Sequence, residues 1–493
     1  MKNKKILLLP IACMLFSCNS SLRTLEYDKE VKLNQKENYT YKEKSFREIP
    51  TDLIDSSNLT YELSEDKTYY IVSDNNHKLS SNILAIPEKY NNLPVQEIAS
   101  EGFTERTWLN TVYIPKSIKK IGDGAFNGSN IKTLYFDAEN VEDFNAKNWV
   151  FYPAKGQVMD VYFGKNVLKI PNRMFFPLAT NPSILPNVRN VYFSSESKIS
   201  SIGDYAFYRL NTITELSLPD SITSIGDYAI YECGIKELIL PTKLESIGKN
   251  TFAFSELAHI KFNESLKEIN EKAFLNNENL IEVDLSNTNV TTIKGMSFSS
   301  CNKLKNLYLN DSVVTIEKEA FMDCSSLNVL VLPNNLVNIG EKAFKNCYSL
   351  EQLKLNKSLK ILGNEAFSNA INVNKLVIES TYLDDLTNGN KVFDSFSNNS
   401  KNAIVIFTKD VTYIPSHLFF SSAESSKTPV IKQLILSTSI EAIGDYAFFY
   451  MDINSVDYLG QKNSFNKINI QEHNEGIKNV TMHKEEKNEK EFL

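Results

Sequence analysis

Apolar positions along this chain repeat in a frame longer than a single helix or strand. Each unit begins L-x-x-L-x-L, as in LKNLYLNDSVVTIEKEAFMDC from Leu304 and LNVLVLPNNLVNIGEKAFKNC from Leu327. The alternation in its second half predicts a short β-strand with one face on a core. Pro219, Pro241 and Pro333 follow that strand, and proline ends it because it offers no N–H to a ladder. A further apolar residue, such as Leu336, leads into a hexapeptide that occurs letter for letter as IGDYAF at Ile202 to Phe207 and at Ile443 to Phe448.

Variants of this hexapeptide include IGDGAF at Ile121, IGKNTF at Ile247, IEKEAF at Ile316 and IPSHLF at Ile414. The last residues fall at Phe207, Ile230, Phe252, Phe274, Phe298, Phe321, Phe344 and Phe367, at intervals of 23, 22, 22, 24, 23, 23 and 23 residues. Self-similarity at this period marks the stacked coils of a leucine-rich repeat solenoid, in which no unit buries its Phe alone. Gly at the second position is read as permitting a turn that a β-carbon would oppose. The Asp or Glu after it is read as capping, or favourably placed at, the start of a short helical turn. The expected fold is an α/β leucine-rich repeat solenoid of about 23-residue units. A parallel β-sheet should line the concave face, short helical or 3-10 turns the convex face, and both ends should be capped.

The same frame decides the cysteines. Cys233, Cys301, Cys324 and Cys347 each lie three residues after the Phe-position residue of their own unit. Cysteines in an exported protein invite a disulfide or metal reading. One position repeated down a solenoid is instead one rung of a ladder, where free Cys acts as a small buried hydrophobe.

At the N-terminus, MKNKKILLLPIACMLFSC places Lys2, Lys4 and Lys5 before an apolar run from Ile6 to Phe16. That run is too short for a bilayer span, which needs about 20 residues, and reads as an export signal. Leu15-Phe16-Ser17-Cys18 resembles a bacterial lipoprotein box, although Phe16 is bulkier than that pattern usually holds, and implies acylation at Cys18 after removal of residues 1–17. Cys13 lacks the Leu expected three positions before it. The other reading is a soluble export signal that is discarded with Cys18. The formal charge of the whole chain is -7, and the basic residues form no long block. Neither nucleic acid nor attraction to anionic lipid is expected, so any membrane hold rests on acyl chains.

The unit is similar to that of the BspA-type leucine-rich repeat surface proteins of bacteria, close to L-x-x-L-x-L-P-x-S-L-x-x-I-G-x-x-A-F-x-x-C. The resemblance covers about residues 58–484. It includes an opening hairpin in LTYELSEDKTYYIVS from Leu59 and a C-terminal cap around Phe465, a position often held by Trp. The organisation expected from it is a signal over 1–17, a polar tether over 18–57, and a capping hairpin and lead-in over 58–98. The solenoid follows over 99–452, the C-terminal cap over 453–484 and a charged tail over 485–493. The resemblance implies a surface-exposed, extracytoplasmic binding protein, with host matrix or plasma proteins among the partner types. A structural or assembly role in the envelope, or carbohydrate binding, stays open beside it.

A partner should meet the chain where the units differ. The residue between the last two apolar positions of each strand should face outward, giving Tyr113, Tyr135, Tyr162, Tyr192, Ser217, Ile239, Lys261, Asp284, Tyr308, Val331 and Lys354. The tyrosines, Tyr308 included, are candidate ligand anchors. The alternative is a cross-strand ladder that serves the sheet. Insertions after Phe175 and Phe419 take 13 and 12 residues to reach Val188 and Ile431, and both leave the frame at the same phase.

Catalysis has little support. His77, His259, His417, His473 and His483 are scattered, and the chain has no H-E-x-x-H, phosphate loop or G-x-S-x-G elbow. No catalytic residue, metal or cofactor is expected.

Overall fold

The computed structural model describes residues 58–75, 78–79, 81–145, 149–152, 156–176, 187–396, 402–420, 430–477 and 480–482. The expected signal over 1–17, Cys18 and the expected tether over 18–57 lie outside the described residues, as do residues 485–493 and most of both insertions.

The described residues form a parallel-stranded solenoid of about 15 coils. An antiparallel hairpin, Thr60–Leu63 with Tyr70–Ser73, opens it. In most coils the L-x-L segment makes a strand, for example Thr111–Ile114, Thr133–Phe136 and Val158–Phe163, which pair in parallel with one another, while the coil of Leu216 has only an isolated bridge at Glu215. The Ile that opens the hexapeptide ends a second, two-residue strand. Ser201–Ile202, Ser224–Ile225 and Ser246–Ile247 stack in register.

Between these ladders lies one continuous core. Ala206 and Phe207 are fully buried, as are their counterparts Ala343 and Phe344. The Phe rings stack coil upon coil, with centroids 5.1 Å apart for Phe274 and Phe298, 5.4 Å for Phe298 and Phe321, and 5.3 Å for Phe321 and Phe344. Burying a side chain of this kind is worth about 1.5–3 kcal/mol, and each ring is covered by the coils on both sides.

The convex side differs from the expectation of helical turns. Among the described residues, helix is confined to Lys462–Phe465 and a 3-10 turn at Glu475–Ile477, both near the C-terminal end. Elsewhere the hexapeptide forms bonded turns. The fourth residue has a left-handed φ, at Gly124 and also where it is not glycine, +57° at Tyr205, +60° at Lys272 and +57° at Glu319. The residue four positions later repeats this, as at Arg209, Asn276 and Asp323. Left-handed residues interrupt a right-handed helix, which explains why none forms.

The strain is offset by a third ladder. The N–H of Tyr205, Phe207 and Arg209 donate to the carbonyls of Asp227, Ala229 and Tyr231 in the next coil, at 2.9, 2.8 and 2.8 Å. Glu319, Phe321 and Asp323 do the same to Glu341, Ala343 and Lys345. Every bond of this ladder points toward the C-terminal end.

Two further readings of the hexapeptide are corrected. Gly203 and Gly226 do not have positive φ; a Cβ at Gly226 would stand 2.4 Å from Asp204 Oδ1 and 2.7 Å from its N, so glycine answers close approach by the preceding coil. The Asp beside it caps no helix. Asp204 Oδ1 accepts the N–H of Asp227 at 2.8 Å, and Asp227 Oδ1 that of Lys249 at 2.7 Å, so the carboxylate clamps the next coil.

Candidate functional site

The outward face of the longer-strand sheet gathers the expected residues. Tyr113, Tyr135, Tyr162 and Tyr192 stand opposite one another on consecutive parallel strands. Alternation along each strand forces this, since the flanking Val112 and Ile114 turn into the core and are fully buried. Tyr135 stacks on Tyr162 at 5.0 Å between centroids, and Tyr162 on Tyr192 at 4.5 Å with planes 12° apart. Tyr135 and Tyr162 are only 6% and 5% exposed, yet they lie outside the main core cluster. Their ring faces cover each other, and Tyr113 and Tyr192 at the two ends stay half-buried.

Charged groups brace this ladder. Arg189 Nη2 lies 2.8 Å from Asp160 Oδ2, and Asn190 Nδ2 donates to Asp160 Oδ1 at 2.8 Å, beside Tyr162 and Tyr192. Hydrogen bonding to Asp160 pushes the Arg189 guanidinium up. Burial, helped by the carboxylates of Asp137 and Glu88, pushes the Tyr113 phenol up to about 12, so it serves as a neutral hydrogen-bonding group.

Tyr308 is not part of this group. It lies several coils further on, opposite Asp284, and burial alone pushes its phenol up. Cys18 lies outside the described residues. Among those residues no group of three or more His, Cys, Asp or Glu is placed to hold a metal ion.

Two features escaped the sequence reading. The outward column continues as Val377, Ile406 and Ile435, which with Leu459 form a second apolar cluster, 3%, 0%, 0% and 8% exposed. The signal was present in the apolar runs KLVI and IVIF, whose register opposes Val377 to Ile406. The second feature is aromatic stacking along the turn edge, where Tyr205 lies on Tyr228 at 4.8 Å and Tyr208 on Tyr231 at 5.1 Å. Its signal was the tyrosine at the fourth place of IGDYAF, which no core position requires.

The four cysteines among the described residues are buried and free. The thiols of Cys233, Cys301, Cys324 and Cys347 donate to the carbonyls of Phe207, Phe274, Phe298 and Phe321 in the coil before, at 3.2 to 3.6 Å. Ser129 and Asn277 take the same place and make the same bond, to Phe103 and Phe252.

The family described as BspA type leucine rich repeat region matches in six copies, over residues 77–187, 185–305, 276–394, 314–433 and 389–474. The chain belongs to this family. Among solved structures, this BspA-type chain is similar to a leucine-rich repeat protein from Bacteroides ovatus, with 22% identity over 66% of this chain and 94% of that one, at a TM-score of 0.40. It is also similar to the pneumococcal vaccine antigen PcpA, with 18% identity over 88% and 98% of the two chains and a TM-score of 0.39. A leucine rich cell surface protein from Faecalibacterium prausnitzii shares 16% identity over 84% and 97%, at 0.34. No curated protein matches the chain. Among the described residues of the BspA-type solenoid, no helix is long and apolar enough to cross a membrane.

Proposed function

We propose that the chain is an extracytoplasmic binding scaffold, held at the membrane by acyl chains on Cys18 and spaced from it by residues 18–57. A protein partner, of host matrix or plasma type, docks on the outward strand face at Tyr113, Tyr135, Tyr162 and Tyr192. The observation that carries this reading is the register of four tyrosines on consecutive strands, outside the core. The half-buried rings of Tyr113 and Tyr192, held in place by Tyr135 and Tyr162 between them, are rigid and amphipathic, so little conformational entropy is lost when a partner covers what they leave exposed. Membership of a repeat family whose units serve as non-enzymatic scaffolds supports binding over catalysis.

The test is a pull-down of plasma and matrix proteins with the mature chain, repeated with all four tyrosines changed to serine. Loss of the captured protein in a folded variant supports the site. Unchanged capture assigns the tyrosines to the sheet alone. Added protease should cut the chain on intact cells; protection there argues for an envelope role instead.

A further inference from the structure

The aromatic residues of the turn edge are not required by the fold. In the central coils the fourth and seventh positions of the hexapeptide frame are Lys272 and Leu275, Glu319 and Met322, or Lys342 and Lys345. These coils keep the left-handed fourth residue and the same forward bonds. In two stretches the positions are aromatic instead. The first ledge runs through Phe176, Tyr205, Tyr208, Tyr228 and Tyr231 and ends on Phe254, at the eighth position, with neighbouring rings in contact at 4.8 to 5.5 Å. The second runs through His417, Phe420, Tyr446, Phe449 and His473, with His417 and His473 stacked on opposite sides of Tyr446 at 5.2 and 4.0 Å. Both ledges reach solvent, Phe254 being 44% exposed and Tyr450, against Phe449, 52%.

Charge narrows the ligand. Arg209 pairs with Glu232 at 2.8 Å, and His473 with Asp445 at 3.2 Å. The Arg173 guanidinium sits 5.1 Å above the Tyr205 ring. No excess of cations is left to hold a polyanion or an anionic lipid surface. What the ledges offer is apolar ring surface beside phenol hydroxyls and polar groups already paired with one another. A sugar ring is complementary to this, with an apolar C–H face and a hydroxylated edge.

Spacing narrows it further. The ledges share one frame on one continuous core, roughly ten coils or on the order of 50 Å apart at the ~4.8 Å inter-strand distance. A ligand that meets both must repeat along its length, and it then gains avidity from the second contact. We propose that the two ledges form a paired site for a neutral linear polysaccharide lying along the turn edge. This surface is distinct from the strand face.

The test is native electrophoresis of the mature chain through gels containing mixed-linkage β-glucan, arabinoxylan, galactomannan or dextran, with alginate as the anionic control. At least one neutral polymer should retard the chain. The variants Y208S/Y231S and F420S/F449S should each weaken retardation at least tenfold, and their combination should abolish it. Y208F/Y231F keeps the stack and removes hydroxyls, so it should stay folded and weaken binding several-fold. Thermal melting and sedimentation accompany each variant. No retardation by any neutral polymer, equal retardation by alginate, or full retardation of the folded combined variant overturns the proposal. So does self-association of the wild type that the same substitutions abolish, because a second copy would then be the occupant.

Discussion

The thiol of Cys324 donates to the main-chain carbonyl of Phe298, 3.3 Å away in the preceding coil. Burial pushes this thiol well up, and those of Cys233 and Cys301 to about 12. The thiolate is the reactive form, so Cys233, Cys301, Cys324 and Cys347 should resist thiol reagents at pH 8 in the native chain and label fully in denaturant. Counting labelled cysteines by mass spectrometry checks this. Because Ser129 does the same work elsewhere, Cys324→Ser should cost about 1 kcal/mol or less.

Phe321 lies between the rings of Phe298 and Phe344, and Phe321→Ala opens a cavity in a core closed on both sides. The expected cost is about 3–5 kcal/mol. Phe321→Ile copies the natural rung at Ile230, which is fully buried, and should cost about 1.5 kcal/mol or less. Chemical denaturation of the two variants side by side tests the ordering.

Gly363 and Gly295 should respond differently to alanine. A Cβ at Gly363 would stand 2.2 Å from Glu341 N, whereas at Gly295 its nearest neighbour, Lys318 O, is 3.3 Å away. Gly363→Ala must push two coils apart and should cost about 1–3 kcal/mol. Gly295→Ala should cost less than half as much, as read from melting temperatures.

Tyr113 makes stability depend on alkaline pH. Its phenol, ordinarily at 10.0, is raised to about 12 by burial and then by Asp137 and Glu88. The folded state therefore keeps a proton that the unfolded chain has lost. Its contribution is complete below pH 10 and disappears as pH rises through 12. Tyr113→Phe should lose less stability across that window than the wild type, measured by urea unfolding at successive pH values.

The period, the stacked Phe and the buried cysteines were legible because each answers a core demand that recurs at one phase of the frame, with only a few exchanges such as Ile230 or Ser129. The conformation of the turn was not. Its left-handed residue is glycine at Gly124 but Tyr205, Lys272, Met296 or Glu319 in later coils, where no residue type marks it, because bonds to the next coil hold the backbone there. The four neighbouring tyrosines could be read from alternation alone. That Tyr135 and Tyr162 nearly bury each other could not, since it depends on ring orientation between strands. Ile406 and Ile435 were missed because the long stretch between Ile378 and Ala403 breaks the count, whereas Val377, 23 residues after Lys354, was still in frame.

The turn ladder, whose N–H groups all point forward, gives the solenoid an electrical polarity that the alternating bonds of its parallel strands do not. Its first coil presents surplus carbonyls and its last coil surplus donors. The two ends are closed accordingly. Arg106, salt-bridged to Asp74 at 2.7 Å, donates to the Thr104 carbonyl. At the far end Tyr446 donates to the Glu472 carbonyl, while the side-chain oxygen of Asn474 takes the N–H of Phe448 in place of a missing backbone group. A donor closes one end and an acceptor the other, so the caps cannot be exchanged, and coils can be added or removed between them only in the same head-to-tail sense.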